Sequence, residues 1–509
     1  MKNVGLLILF NLFISSIFSQ NSDSYIFGKS SSVSCFGEKK INEKNIISYS
    51  QKTIAIYDKK TLNLISSKDI ENFPEDDKCW NFFEFQEEFF YLFYSQKKDA
   101  KTFKIYIRKL NLDATRLEAP QNLYEEPVTG RIGYFINGSS YIGQKPFLGI
   151  QLSKDSSKLA VILGQKVQVF EKGMKLLWKT DNVYGYHSPS GPFDMHANFL
   201  DNNGDYYSII KVFKYNKERK NEYDWADYRE TVKKSYKPNY EVLILKANSN
   251  SIELLNSEAL KGQLVHSMTI HKDNKGNLYC MGACFADRNI TRTSAFFIMD
   301  MTQEVPKLNK FKIPGEIEHF NKKKIPEINK GVSFLKNLEV INCNDGNLLM
   351  ICEQNLNFDP AGVHSSGTGN YGNILAFKIS LTGDIIWSRI LLKWQLNTKE
   401  GGYYRFNSYK YFYLNDKHYI VFLDNKGNEK LNYERVKYCT NGKNSVIMAY
   451  CLDDDGKVDK KILFDIGKLT QRTTYDYRRS LIPLSPNELM LSTYQKKQKT
   501  SLVKIIIDK

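Results

Sequence analysis

The chain has little arginine, few histidines and no long apolar run beyond its first twenty residues. Of its 72 basic residues only 13 are arginine, the side chain best suited to bidentate phosphate contacts. The net charge of +16 therefore does not indicate a nucleic-acid partner. No later stretch reaches the roughly eighteen consecutive apolar residues that a membrane-spanning helix needs. We expect no nucleic-acid binding and no integral membrane segment once a signal peptide is removed.

The eight cysteines lack the paired CxxC spacing of a zinc site. In an exported chain they could form disulfides, but Cys280 and Cys284 share one face of a predicted strand, too far apart to bridge. Buried thiols within strands are the simpler interpretation, and the pairing of the other cysteines stays open. We expect neither a metal nor a cofactor.

The first 19 residues have the features of a secretory signal peptide. Lys2 gives the positive start, residues 5–18 form the apolar core, and Ser19 is a small residue before a cut at or near Gln20. We therefore expect a secreted or periplasmic protein, with residues 20–509 forming a single domain.

A polar turn that returns about every seventy residues organises the rest of the chain. Each copy follows a short apolar strand and leads into another. The copies are residues 201–204, 273–276, 344–346, 415–416 and 486–487, with weaker ones at 86–88 and 155–157. A second hairpin follows in each module, with turns such as residues 382–384 and 454–456. The pattern indicates four strands in each module.

Four-stranded antiparallel modules repeated along one chain are typical of a β-propeller. Seven modules are clear and a further one lies at residues 33–67, so we predict an all-β propeller of seven or eight blades. The last module ends at Ile507 without a return strand, and we expect residues Tyr25-Ile26-Phe27 to supply it. The alternative is two packed β-sandwich domains, which would not give one period across the middle of the chain.

Two motifs suggest chemistry that their context does not support. Residues 367–372 match GxGxxG, but a predicted strand follows instead of the helix that holds a dinucleotide. Residues 453–456 resemble part of a calcium loop without its later glutamate. We interpret both as turn or loop sequences.

Two resemblances rest on strand and turn residues. Residues 382–387 are similar to the TGxxxW core of quinoprotein propeller repeats, although Phe377 and Ile379 replace that family's alanine and aspartate. This resemblance implies propeller architecture, with tryptophans as packing anchors, and no quinone chemistry. Residues 373–379, 383–389, 393–395 and 422–425 together resemble exported propeller-like proteins of Bacteroidetes. That family has no assigned activity, so the resemblance implies an envelope or secreted location and no catalytic residue.

Three long segments interrupt the repeat, and rigid strands with long connections are where binding residues concentrate. The segments are residues 184–196, 355–373 and 394–406, and whether they share one end of the molecule stays open. Their candidate ligand-binding residues are His187, Asp194, His196, His364, Tyr403, Tyr404 and Arg405.

The sequence favours an exported binding or interaction protein whose ligand is a protein or a glycan. The alternative is a propeller-fold hydrolase or lyase that acts on a glycan, which would need converging carboxylates or histidines. Because the seven histidines are scattered over the modules, no catalytic residue is assigned and binding is preferred to catalysis.

Overall fold

The computed structural model describes nineteen stretches of the chain, and every structural statement below concerns these residues. They are residues 25–27, 39–41, 43–49, 52–95, 102–111, 115–127, 148–184, 193–213, 238–255, 257–286, 289–313, 332–333, 335–355, 371–395, 408–429, 444–466, 473–474, 481–495 and 499–507. For some strand residues, Asp194 and His196 among them, only the backbone is described.

The described residues form antiparallel strands with a few short 3₁₀ turns. The strands of the first four sheets are β1 (Tyr25–Phe27), β2 (Lys39–Ile41), β3 (Asn45–Tyr49), β4 (Thr53–Asp58), β5 (Leu64–Asp69), β6 (Lys78–Phe85), β7 (Glu88–Ser95), β8 (Thr102–Asn111), β9 (Arg116–Leu117), β10 (Gln121–Pro127), β11 (Leu148–Leu152), β12 (Leu159–Leu163), β13 (Lys166–Glu171), β14 (Lys175–Thr180), β15 (Phe193–Leu200), β16 (Tyr206–Phe213), β17 (Tyr240–Ala247) and β18 (Ile252–Leu255).

The remaining strands continue the same pattern to the C-terminus. They are β19 (Val265–Lys272), β20 (Leu278–Ala286), β21 (Asn289–Asp300), β22 (Leu308–Lys312), β23 (Val332–Ser333), β24 (Leu335–Asn342), β25 (Leu348–Asn355), β26 (Tyr371–Ile379), β27 (Ile385–Leu391), β28 (Tyr409–Leu414), β29 (Lys417–Asn425), β30 (Ser445–Leu452), β31 (Val458–Asp465), β32 (Thr473–Thr474), β33 (Leu481–Ser485), β34 (Glu488–Gln495) and β35 (Lys499–Ile506). The 3₁₀ turns are Lys172–Met174, Glu258–Leu260 and Lys426–Asn428.

These strands form an all-β, eight-bladed propeller of mainly four-stranded antiparallel sheets. Numbered in chain order, the blades are blade 1 (β2–β5), blade 2 (β6–β10), blade 3 (β11–β14), blade 4 (β15–β18), blade 5 (β19–β23), blade 6 (β24–β27), blade 7 (β28–β31) and blade 8 (β32–β35 with β1). The fold prediction is confirmed with the larger of the two blade numbers, and the two-sandwich alternative is wrong. Within a blade, the first strand pairs with the second, the second with the third and the third with the fourth, as in β24-β25-β26-β27. We call the end of a sheet where its first strand turns into its second the turn end, and the opposite end the loop end.

Three of the recurring polar turns share one hydrogen-bonded geometry. In residues 201–205 the amide of Gly204 donates to the carbonyl of Asp201 at 3.1 Å, and Asp201 donates to Asp205 at 3.0 Å. Gly204 has a φ of +92°, a backbone conformation that favours glycine. The same five-residue turn occurs at residues 273–277, 343–347, 380–384 and 453–457. The acidic residues at 453–456 are therefore part of such a turn, as predicted, whereas residues 367–370 of the GxGxxG match lie outside the described residues.

One compact unit of the chain spans residues 74–111 and 118–393 and contains blades 2 to 6. Its first strands are neighbours, since β15 contacts β11 and β19, and β19 contacts β24. Inner strands such as β12 and β16 bury nearly all their side chains, on both faces of the sheet, and pack blade on blade. One such cluster joins Met281 and Phe296 of blade 5 to Met350 and Phe377 of blade 6, all almost fully buried.

The other unit spans residues 1–73, 112–117 and 394–509 and contains blades 1, 7 and 8. In blade 8, β1 pairs with β35 in antiparallel register, with Tyr25 opposite Ile505 and Phe27 opposite Val503. The predicted N-terminal strand is therefore confirmed. It completes a sheet whose other strands come from the last residues of the chain.

Side-chain hydrogen bonds clasp neighbouring blades at the turn end. In blades 4 to 6, Lys272 Nζ lies 3.2 Å from Asp201 Oδ2, and His271 Nε2 lies 2.6 Å from Asn342 Oδ1. Each pair is 71 residues apart in the chain. A separation of 72 residues recurs in the other unit, where Asn415 donates from Nδ2 to Asn487 Oδ1. The seventy-residue period of the sequence therefore corresponds to the spacing between residues that occupy equivalent positions in adjacent blades and contact each other there.

The six described cysteines are free thiols, and most of them are buried within strands as predicted, although Cys79 is half-buried and Cys343 lies in a turn. None of the six described cysteines forms a disulfide with another, Cys280 and Cys284 included. Cys35 and Cys439 lie outside the described residues. Trp178 is a packing anchor, because its ring is buried and its Nε1 donates to the carbonyl of Gly204 in the next blade at 2.9 Å. A helix able to span a membrane is not found in the described parts of the chain.

Candidate functional site: the clamped loop end

The three predicted binding segments all start and finish at the loop end of the sheets that they join. The first precedes β15, the second connects β25 with β26, and the third connects β27 with β28. The direction of the flanking strands therefore shows, for each sheet separately, that each segment leaves from the loop end. The predicted residues His187, His364, Tyr403, Tyr404 and Arg405 lie outside the described residues, and Asp194 and His196 are described only as backbone of β15.

Two amide side chains close the stem of the second segment. Gln354 lies next to the end of β25, and Asn373 lies near the start of β26. The backbone amide of Asn373 donates to Gln354 Oε1 at 3.1 Å, and both side chains are buried. This bond continues the pairing of β25 and β26 to the point where the segment leaves the sheet.

A fully buried ion pair joins that stem to the stem of the third segment. Lys393, just beyond β27, donates from Nζ to Glu353 Oε1, and both side chains are 0% exposed. The backbone amide of Lys393 also donates to Asn373 Oδ1 at 3.2 Å. We call Glu353, Gln354, Asn373 and Lys393 the stem network. Removing two charges from water costs several kcal/mol per ion. The network therefore holds the two stems in place at a cost in stability.

Gln395 and Ser408, at the two ends of the third segment, form a second clamp within the unit that holds blades 7 and 8. The amide of Ser408 donates to Gln395 Oε1 at 2.7 Å, and Gln395 Nε2 donates to the carbonyl of Leu423 at 2.9 Å. Both side chains are buried. The two ends of the third segment are therefore held together by one glutamine.

Blade 4 uses a cation–π contact at the corresponding place. Lys211, near the end of β16, is 0% exposed, and its Nζ lies 4.2 Å from the centroid of the Tyr240 ring at the start of β17. The Phe213 ring packs edge-on against Tyr240 at 5.8 Å. The hydroxyl of Tyr240 accepts from the amide of Val265 in blade 5 at 2.8 Å. This stem is thus tied both within its blade and to the next one.

A buried histidine occupies the loop end of blade 5. The His266 ring stacks on Phe285 with centroids 4.3 Å apart, and its Nε2 lies 3.0 Å from Thr293 Oγ1. The register of β19 shifts just after His266, and Ser267 has a φ of +49°. A bulge of this kind re-aims side chains, and here it lets Ser267 donate to the carbonyl of Leu335 in blade 6 at 2.8 Å.

Blade 7 holds a second buried carboxylate beside a lysine. Asp424 is 0% exposed and its Oδ1 accepts from Asn428 Nδ2 at 2.7 Å, while Lys460 Nζ lies 3.5 Å from its Oδ2. Burial raises the pKa of Asp424 against the opposing charge of Lys460. Burial likewise lowers the pKa of the Lys460 ammonium.

Chemically, these groups are suited to holding the backbone in place. Glu353 and Asp424 each already face a lysine ammonium, so they are not open ligands for a metal ion. Glu353 and Lys393 have no exposed surface and cannot touch a bound substrate in this conformation. Among the described residues, buried charges and amides at the loop end hold the points where the longer connections leave the sheets.

The turn end differs, since there an open groove lies between the first hairpins of blades 7 and 8. Its volume is about 520 Å³, within the range of small-molecule sites. Tyr413, which is 41% exposed, lines it together with Asp416, Pro483 and Pro486. The three predicted segments start and finish at the opposite end of their sheets.

Sequence reasoning missed Lys211, His266, Glu353 and Lys393. The strands around them are apolar, as in the YYSIIKVF of β16 and the LLMICEQN of β25. A charged residue close to the end of a buried strand was the available signal, because such a residue is buried only where a partner meets it. Each of the four lies near a point where the chain leaves or enters a sheet.

Comparisons with known proteins give no family for this chain. No family model matches the chain, and no curated protein does. Among solved structures, a protein of unknown function from Dyadobacter fermentans aligns with 85% of this chain and all of its own at 12% identity and a TM-score of 0.32. One from Bacteroides caccae, also of unknown function, aligns with 72% of this chain and 92% of its own at 14% identity and a TM-score of 0.27.

A peptidase is also among the structural neighbours. Porphyromonas gingivalis dipeptidyl peptidase 4 aligns with 91% of this chain at 8% identity and a TM-score of 0.39, and this chain covers 58% of the peptidase. Likeness at these levels concerns the fold alone.

Proposed function

We propose that this protein is an exported β-propeller, secreted or periplasmic, that binds a protein or glycan ligand through the segments at the loop end of its blades. The observation that supports this most is the stem network. The chain buries an ion pair and two amides where two of the three candidate segments leave the sheets. Rigid support beneath long connections lowers the ordering cost of binding.

The third segment carries the side chains best suited to a contact surface. Tyrosine and arginine are enriched among the residues that dominate binding energy, and Tyr403, Tyr404 and Arg405 are consecutive. His187, Asp194, His196 and His364 supply polar groups in the other two segments. The proposal assigns all seven residues to ligand contact.

A glycan panel tests the binding site. The mature chain is titrated against soluble neutral and uronic-acid polysaccharides by affinity electrophoresis and calorimetry. The variant carrying Tyr403→Ala, Tyr404→Ala and Arg405→Ala is expected to bind at least about tenfold more weakly, a loss of about 1.4 kcal/mol. Tyr413→Ala, an exposed tyrosine at the turn end, is the matched control. If Tyr413→Ala binds more weakly and the loop variant does not, the ligand binds at the groove that Tyr413 lines and not at the third segment.

The same mixtures separate binding from the enzymatic alternative. New reducing ends would indicate a glycan hydrolase, and an ultraviolet-absorbing unsaturated product would indicate a lyase. If no polysaccharide binds, secreted proteins of the source organism are applied to the immobilised wild-type chain and to the loop variant. The proposal then requires a protein that is retained by the wild type alone.

The export part of the proposal has its own measurement. The protein is recovered from culture medium, periplasm and cytoplasm, and its N-terminus is sequenced. We expect a mature chain that starts at or near Gln20 outside the cytoplasm. A full-length chain confined to the cytoplasm would contradict export.

A further inference from the structure

We propose that the groove between the first hairpins of blades 7 and 8 binds the guanidinium group of an arginine side chain from a protein partner. All residues that line the groove belong to one compact unit of the chain. The groove lies at the turn end, whereas the third candidate segment joins blade 7 at its loop end. The proposal therefore goes beyond the proposed function and does not rest on it.

Tyr413 gives the groove an exposed aromatic wall. Its ring is 41% exposed, and it lies opposite His418 in the register of β28 and β29. The centroids of the two rings are 5.1 Å apart, and His418 is only 2% exposed. The buried imidazole therefore supports a tyrosine ring that remains open to the groove. A planar guanidinium group stacks well on an aromatic face of this kind.

Asp416 places a negative charge beside that ring. It is exposed, its Oδ1 accepts from the Tyr413 hydroxyl at 3.4 Å, and no basic side chain of the described residues forms an ion pair with it. In the first hairpins of blades 4 and 6, by contrast, Asp201 and Asp345 each pair with a lysine. The neighbouring Lys417 does not line the groove. A guanidinium group can therefore stack on the ring while its N–H groups bond to the adjacent carboxylate.

The two walls of the groove are fixed to each other. Asn415 Nδ2 donates to Asn487 Oδ1 between the tips of the two hairpins, and Lys410 Nζ donates to the carbonyl of Leu481 at 2.6 Å. Leu414 and Leu481 also belong to the same buried apolar cluster. Because these contacts hold the hairpins together without a ligand, binding does not have to order the site first.

The rest of the lining suits the apolar part of an arginine side chain. Pro483 and Pro486, both exposed, form much of the wall that blade 8 contributes. Proline has no backbone N–H, so this wall offers apolar surface to the methylene groups of the side chain. The described lining residues include no cation that could pair with the carboxylate of free arginine. The ligand is therefore an arginine within a polypeptide.

Blocked tripeptides test this recognition directly. N-acetyl-Gly-Arg-Gly-amide is titrated into the mature chain by NMR, beside the same peptide with citrulline, which has nearly the same shape and no charge. Non-specific attraction is not expected, because the chain carries a net charge of +16. We expect the citrulline peptide to bind at least about fivefold more weakly, since it loses the ion pair and the cation–π contact. The lysine peptide and free L-arginine should also bind more weakly than the arginine peptide.

Asp416→Asn removes the charge and keeps the turn, because asparagine tolerates the positive φ of +56° at this position. This variant should bind the arginine and citrulline peptides equally, and Tyr413→Leu should bind the arginine peptide more weakly than the wild type. Asp455→Asn is the matched control, since Asp455 is an exposed aspartate in another turn of blade 7 and does not line the groove. The control should keep the wild-type preference, and the thermal midpoints of all three variants should confirm that they are folded.

Several results would overturn the proposal. No binding of the arginine peptide at millimolar concentration, or equal binding of the arginine and citrulline peptides, would exclude guanidinium recognition. A preference for arginine that survives in Asp416→Asn, or that disappears in Asp455→Asn, would place the binding elsewhere. Equal binding of the lysine peptide would indicate a point charge as the ligand, and equal binding of free L-arginine would exclude a polypeptide. Because none of these probes is a glycan and none of these variants changes the three candidate segments, failure here leaves the proposed function standing.

Discussion

Replacing Asp201 separates the contribution of the turn from that of the blade clasp. Its Oδ1 accepts from the amides of Asn203 and Asp205 at 2.8 and 3.0 Å, and its Oδ2 lies 3.2 Å from Lys272 Nζ. The side chain is only 2% exposed. Hydrogen bonds to a charged group contribute about 1.5–3 kcal/mol each, so Asp201→Ala should lower the free energy of unfolding by about 3 kcal/mol, allowing for partial solvation of the freed amides.

Asp201→Asn isolates the charge. Asparagine keeps an acceptor for the two turn amides and loses the ion pair with Lys272, whose side chain is 29% exposed. Ion pairs with this much solvent contact contribute at most about 1 kcal/mol. We expect the asparagine variant, and Lys272→Met with it, to lose no more than that.

Urea unfolding measures both effects, because the shift in midpoint equals the change in free energy divided by the slope. Lys275→Ala, an exposed position in the next turn, is the control and should change nothing beyond error. If the asparagine variant loses as much as the alanine variant, the charge and not the turn geometry holds this hairpin, and the reasoning fails.

Three further predictions concern other parts of the fold. Burial lowers the pKa of His271 below its usual 6.5, so the folded state binds fewer protons than the unfolded state, and stability is lost as pH falls from 6.5 to below the lower pKa of the folded state. The variant His271→Gln should therefore flatten the dependence of the thermal midpoint on pH between neutral and mildly acidic conditions. An unchanged slope would refute this. In Gly282→Ala the new methyl would lie 2.7 Å from the Phe297 ring, which should cost about 1–3 kcal/mol; adding Phe297→Leu should recover part of it, and no recovery would locate the strain elsewhere. A mature chain that starts at Gly28 lacks β1 and should show faster amide exchange in β35 than one that starts at Ser24; equal exchange would mean that β1 contributes nothing to blade 8.

The blade architecture could be predicted because its causes are local. A glycine with positive φ after two or three polar residues marks a turn wherever it occurs, as at Gly204 and Gly276, and alternation marks the strands on either side. The missing partner of β35 could be found by counting, since a sheet that ends one strand short needs another. The first inference uses neighbours in sequence, and the second uses the number of strands in each repeat.

The loop end could not be predicted in the same way. The partners Glu353 and Lys393 are 40 residues apart, and nothing in the intervening sequence requires them to meet. His266 contacts Phe285 and Thr293 only because a bulge changes the register of β19. Contacts that depend on register between distant strands carry no local signal. The sequence therefore predicted where the longer connections lie but not the buried side chains at their stems.

Blade 3 shows how short one repeat of this fold can be. Asp155 and Asn202 hold the turn ends of blades 3 and 4 together although they are only 47 residues apart, whereas the next clasp, between Asp201 and Lys272, spans 71. The difference, 71 − 47 = 24 residues, is about a third of the longer repeat. In blade 3 the second and third strands are joined by a tight turn after Leu163, while in blade 4 residues 214–239 lie between β16 and β17. The connection between the second and third strands can therefore differ by this much from one blade to the next while the contacts between their turn ends are kept.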